Sequence, residues 1–225
     1  MDSSDLTAKV GTGSAPSGSY PVNAGNNRLT GETYDNNGNI VRAGWSYDYE
    51  NRLMWGGGKY FLYDSSNRKV WEQDPVTGYE TITFYGVDGK RMADYGPVER
   101  ASDFAFGRGT LRVYFAGKRL AMEDRLGSSG NGRYFFSYGA TRNSAPNAEF
   151  ATYQPDTTLG LQYAINRWYM PGQGRFTTAA PYPSSALLGV PSTWNRFSYT
   201  SGDSRLGFWS NPAHWPSGWC NSLKG

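Results

Sequence analysis

A tyrosine followed by an aspartate recurs through the first half of this 225-residue chain, and each time a run of turn-forming residues follows. The copies are Tyr34-Asp35-Asn36-Asn37-Gly38-Asn39, Tyr47-Asp48-Tyr49-Glu50-Asn51-Arg52-Leu53 and Tyr63-Asp64-Ser65-Ser66-Asn67-Arg68. A degenerate fourth is Tyr85-Gly86-Val87-Asp88-Gly89-Lys90-Arg91. A unit of this length is one strand or one hairpin. Tyrosine closes a strand, where its ring covers a sheet face and its hydroxyl reaches water. Aspartate accepts hydrogen bonds from amides just downstream and starts the turn. Glycine or asparagine then supplies a positive φ. Units of this kind fold as an antiparallel meander.

Alternation predicts strands at 38–41, 45–49, 68–71 and 79–85, with turns at Asp74-Pro75-Val76-Thr77-Gly78 and Asp88-Gly89. Residues 96–110 read as a looser connection, because Gly96-Pro97 interrupts the pattern. Strands are expected again at 111–116, 117–123 and 133–139, and 140–150 reads as a polar loop. Four segments follow: a flexible Ser/Gly/Asn-rich linker at 1–26, a repeat strip at 27–110, an aromatic and Gly-dense region at 111–203, and an unpatterned tail at 204–225. With 29 Gly, 12 Pro and 16% aromatics, the composition suits short strands joined by turns and argues against a helix bundle. The expected fold class is all-β with little helix.

Several functions are excluded or disfavoured. No apolar run is long enough to span a bilayer, and the N-terminal residues lack the basic and apolar regions of a signal peptide. The net charge is +3, with Lys and Arg dispersed, so no nucleic-acid footprint is visible. The single cysteine, Cys220, rules out an internal disulfide. His214 is the only histidine, too few partners for a Cys/His zinc site or a nucleophile–base pair. Asp35, Asp48, Asp64 and Asp88 sit on separate turns, whereas calcium needs converging oxygens. Gly130-Asn131-Gly132 and Gly172-Gln173-Gly174 lack the third glycine of a dinucleotide loop. No catalytic, cofactor-binding or metal-binding residue is expected.

The Tyr-Asp copies resemble the YD repeats of RHS proteins and their teneurin and insecticidal-toxin relatives. Tyr114-Phe115-Ala116-Gly117-Lys118-Arg119-Leu120 and Asp124-Arg125-Leu126-Gly127-Ser128 look like the lead-in to the RHS repeat-associated core. The core pattern itself is similar over about 152–203. It is met by Tyr153, Asp156, Gly160-Leu161, Tyr163, Arg167-Trp168-Tyr169, Gly174-Arg175-Phe176 and Pro181, then by Trp194-Asn195, Phe197, Tyr199 and Asp203. The resemblance implies a long antiparallel strip curling into part of a β-shell, closed by the core domain, that encloses a C-terminal toxin. It implies as partners the remaining YD repeats of a larger shell protein, an encapsulated toxin, and a cell-surface glycan or protein. It also implies a secreted or cell-surface location, although no export signal is visible here.

In many members of that family the core cuts its own chain with two aspartates, one ionised and one protonated, a division that closely spaced carboxylates permit. This sequence departs at both positions. Ala180-Pro181 stands where the family has its first Asp-Pro, and no acidic residue follows Asp203. Pro155 replaces the arginine usual before Asp156. The expectation is therefore a core that does not cleave itself. Asp156 is read as a turn cap, Arg175 as a tie between strand ends, and Asp203, His214 and Cys220 as chemically idle. The loss of pattern after Asp203 reads either as divergence or as a shift of reading frame.

Three function classes follow. The first is a structural piece of a toxin-encapsulating shell, the second an aspartic-type autoprotease, which the missing acids disfavour. The third is a carbohydrate-binding surface using rings such as Trp45 and Trp55. The plainer reading of those rings is cross-strand packing. A piece of a strip should also expose strand edges and an aromatic face, and so self-associate.

Overall fold

A computed structural model describes residues 7–11, 13–99, 104–115, 118–119, 134–142, 148–181 and 194–199. The described chain is nearly all β, with antiparallel pairing throughout, as the composition and alternation predict. Among the described residues no helix is long and apolar enough to cross a membrane. The chain forms two compact units: residues through Arg42 gather with the described residues from Tyr134 onward, and the described residues from Ala43 to Arg119 form the other.

The first unit begins with two short hairpins, β1 (Ala8–Lys9) with β2 (Gly18–Ser19) and β3 (Val22–Asn23) with β4 (Arg28–Leu29). The described part of the stretch expected as a linker thus carries paired strands.

The second unit is a seven-stranded meander in sequence order: β5 (Ser46–Tyr47), β6 (Leu53–Gly56), β7 (Lys59–Tyr63), β8 (Lys69–Gln73), β9 (Glu80–Tyr85), β10 (Arg91–Glu99) and β11 (Phe104–Leu111). A further pair, β12 (Tyr114–Phe115) and β13 (Lys118–Arg119), follows. The looser connection expected over 96–110 is instead the longest hairpin of the sheet, with Gly96 opposite Gly107 and Pro97 opposite Phe106. Gly96 looked like a break, yet it is a point of close approach. A Cβ there would sit 3.0 Å from the Tyr79 hydroxyl and 3.1 Å from the Glu80 carbonyl oxygen of β9.

The turns that join these strands share one geometry. In the copies starting at Asp35, Asp48 and Asp64, the aspartate N–H donates to the carbonyl four residues on. The amide three residues on donates back to the aspartate carbonyl, and that third residue has positive φ: Gly38, Asn51 and Asn67. This is a type I turn followed by a left-handed residue. The aspartate Oδ1 accepts the amides two and four residues on, at 2.8–2.9 Å in every copy. The fourth copy keeps the backbone ring on Gly86 and Lys90, with Gly89 left-handed, although Gly86 has no carboxylate.

The three turns of the second unit, at Asp48, Asp64 and Gly86, are also tied to the next tyrosine. The guanidinium of Arg52 lies 5.3 Å from the Tyr63 ring centre, that of Arg68 4.9 Å from Tyr85, and the Lys90 ammonium 5.6 Å from Tyr114. The same three hydroxyls donate to the carbonyls of Leu53, Lys69 and Arg91, at 2.8–2.9 Å. The hydroxyls expected to reach water therefore satisfy the backbone of the preceding copy. Tyr114 serves as a further rung that the Tyr-Asp pattern does not reveal.

The two faces of this sheet are inverted in character. Leu62, Trp71, Ile82 and Tyr95 align across four strands, yet Leu62 is 47% exposed, as is Tyr60 two residues earlier. The opposite face buries Phe61 and Thr83, and the side chain of Lys69 is 2% exposed. Ring pairs on the exposed face are cross-strand, Trp55 with Tyr60 at 4.3 Å and Phe84 with Tyr95 at 5.3 Å.

The first unit closes with a four-stranded meander, β14 (Gln154–Asp156), β15 (Leu161–Tyr163), β16 (Trp168–Met170) and β17 (Arg175–Phe176). Within 133–139, where a strand is expected, the described residues give a single bridge at Phe135 and a short 3-10 turn at Ser137–Gly139.

Candidate functional site

Most residues that carry the core pattern are packing residues. Tyr153, Tyr169, Phe176 and Tyr199 converge with Phe135 and Phe150 in one buried cluster. Phe150 stacks on Tyr169 at 5.9 Å, and Tyr199 lies 5.0 Å from Tyr169. Burying a ring of this size is worth roughly 1.5–3 kcal/mol before entropy. Burial pushes the Tyr153 and Tyr169 hydroxyls well above the usual phenol range, so both stay neutral. Tyr169 donates to the Tyr138 carbonyl at 2.9 Å.

Asp156 is buried at the end of β14. Its Oδ1 accepts the amides of Thr158 and Leu159 at 3.0 and 2.9 Å, the turn-capping arrangement read from its place before a turn. Ala180 is held by main chain: its N–H donates to the Arg196 carbonyl at 2.8 Å, and its own carbonyl accepts both Nε and Nη2 of Arg196. A methyl group at this position neither takes nor gives a proton. Asp203, His214 and Cys220 lie outside the described residues.

Cations crowd this end of the unit. Arg175 is 1% exposed and donates to the Asn27 carbonyl, a tie between distant backbone segments as expected. Arg167 lies 3.6 Å from the Phe176 ring centre and donates to the Arg196 carbonyl at 3.2 Å. Some of its surface is open, but its guanidinium is enclosed by protein. Burial lowers its pKa to about 10; Tyr153 opposes the shift and the Arg196 cation adds to it. Arg28 lies 5.1 Å from the ring centre of Tyr34, which meets Phe197 edge-on at 5.9 Å. Sequence reading passed over Arg28 and Arg196, because neither belongs to the Tyr-Asp copies or to the core pattern.

No family model and no curated protein matches this chain. Its fold is similar to a chain in the crystal structure of TcdB2-TccC3-TEV, with a TM-score of 0.52 and 14% identity over 79% of this chain. This chain spans 11% of the length of that one. A chain of TcdB2-TccC3 without its hypervariable C-terminal region gives a TM-score of 0.39 at 13% identity, over 81% of this chain and 13% of that one. A chain of TcdB2-TccC3-Cdc42 gives 0.36 at 16% identity, over 77% and 13%.

Proposed function

We propose that this chain is a piece of an RHS-type shell, with late turns of the YD strip and the associated core, serving toxin encapsulation and delivery or contact with a cell surface. The observation that carries the reading is the ladder of turn, cation and tyrosine. Within the seven-stranded unit the turns at Asp48, Asp64 and Gly86 are each tied to the tyrosine that follows, so the unit extends by stacking further copies. The fold likeness to a chain in the crystal structure of TcdB2-TccC3-TEV, over 79% of this chain, is in keeping with it. Among the described residues β5 and β11 each pair on one side only, which is where additional strands of a strip would join.

The core, on this reading, is a plug that does not cut. Ala180 replaces one acid, and the sequence offers no second acid after Asp203.

Two measurements test the proposal. A blot of the native product with an antibody to a core peptide should show a species much larger than 24.9 kDa. A native product of 24.9 kDa overturns the encapsulating role, because so few copies enclose nothing. Intact mass of the purified chain should show one uncut species, and a fragment ending near residue 210 overturns the non-cleaving core.

A further inference from the structure

The first unit holds a cleft of about 250 Å³ lined in part by Ala179, and its chemistry suits a small anionic ligand. Arg28 and Arg196 both line it. The acids nearest in sequence to Arg28 are already committed. Glu32 pairs with Arg42 at 2.6 Å, and Asp35 takes the amides of Asn37 and Asn39 and the Asn39 side chain. Among the described residues the Arg28 guanidinium meets the Tyr34 ring and no carboxylate. Arg196 directs its donors to the Ala180 carbonyl, which fixes its charge beside the cleft. Two positive charges and, among the described residues, no paired acid favour an anion there.

The remaining walls narrow the class of anion. Asn27 and Asn37 offer amide groups that both donate and accept, as a ring of hydroxyls requires. Trp194 is 50% exposed and forms another wall, an apolar surface for the C–H face of a sugar. The lining is mostly turn residues, so an extended peptide would find little strand edge to pair with. The volume lies below the roughly 300–1,000 Å³ of sites for drug-sized ligands, which leaves room for one ring. Gly38 keeps the cleft open. Its φ is +86°, and a Cβ would lie 3.3 Å from Arg28 Nη2 and 3.6 Å from the Phe197 ring.

We propose that this cleft binds a single sugar ring bearing one carboxylate, with Arg28 holding the carboxylate, Asn27 and Asn37 the hydroxyls, and Trp194 the ring face. The site stands independently of the shell reading.

The test is titration of the full chain with galacturonic acid and, separately, with methyl galactoside, read by saturation-transfer NMR and by tryptophan fluorescence. The uronate should bind at least about tenfold more tightly than the neutral sugar. Arg28→Gln should erase that difference, and Arg28→Lys should restore part of it, because the charge returns without the fork. Thermal melts check that each variant folds. If Arg28→Gln does not fold, Trp194→Leu serves, with loss of binding to both sugars expected. Equal affinity for acid and neutral sugar, uronate binding indifferent to these substitutions, or no uronate binding to folded protein would overturn the proposal. So would competition in which inorganic phosphate or a poly-glutamate peptide binds the cleft more tightly than the uronate.

Discussion

The guanidinium of Arg68 lies 4.9 Å from the ring centre of Tyr85, while the Tyr85 hydroxyl donates to the carbonyl of Lys69, the residue after that arginine. One tyrosine thus reads two consecutive positions of the preceding copy. Burial raises its pKa, so the hydroxyl remains a donor through the neutral range. Tyr85→Phe should cost about 1 kcal/mol for the lost hydrogen bond. Tyr85→Ala should cost more, about 2–4 kcal/mol, because removing a largely enclosed ring leaves a cavity. Tyr60→Phe, on an exposed ring, should fall within about 0.5 kcal/mol of the parent. Urea denaturation of the three variants checks the order.

Asp64 gives the turn its dependence on acid. Burial opposes its ionisation, but the Arg68 side chain and the Arg68 and Ser66 amides overcome that and hold its pKa below 3.8. Folded Asp64 therefore contributes stability that is fully present above pH 3.8 and is lost as pH falls through the lowered folded value. Asp64→Ala should cost about 1–2 kcal/mol at neutral pH. The gap between variant and parent should narrow as pH falls below 3.8 through the lowered folded value. A gap that is constant across this range would show that the carboxylate charge contributes nothing.

Lys69 is charged and almost wholly enclosed, paired with Glu72 and 5.4 Å from the Phe61 ring centre. Removing Lys69 leaves Glu72 with the longer contact to Lys59 at 3.9 Å, so Lys69→Met should destabilise by about 2–3 kcal/mol. Adding Glu72→Leu should recover most of that loss, since an apolar pair of similar size carries no desolvation cost. A double-mutant cycle in guanidinium chloride measures the coupling. Additive losses would show that the two side chains act separately.

The strip was more legible in the sequence than its assembly. Tyr-Asp pairs announce the turns because each step is local: a carboxylate, two amides and one left-handed residue lie within five positions. Asp156 was legible for the same reason. What joins the copies was not, because Arg52 and Tyr63, or Lys90 and Tyr114, stand far apart and at unequal spacing. Gly96-Pro97 misled for a related reason. Glycine marks a turn or a close approach with the same letter, and only the neighbouring Glu80 carbonyl distinguishes them. The Arg28–Arg196 cleft had no sequence signal, since its walls come from four separate stretches of chain.

The exposed face of the sheet sets the solution behaviour. Leu62, Tyr60 and Phe84 are each about half exposed on strands whose other side is packed, and β5 and β11 leave edges without a described neighbour. Water contact with such a face is unfavourable by about 25 cal/mol per Å² of apolar surface, and a second molecule relieves it. The isolated chain should therefore elute early in size-exclusion chromatography, with an apparent mass that rises with concentration. Replacing Tyr60, Leu62 and Phe84 together by threonine puts β-branched residues, which suit strands, at these positions and removes most of the apolar face. The triple variant should shift toward the monomer, while the parent should not shift in high salt, which strengthens apolar contacts. A sharp, concentration-independent monomer peak for the parent, with cooperative melting, would contradict this and would mean that the face is satisfied within a single chain.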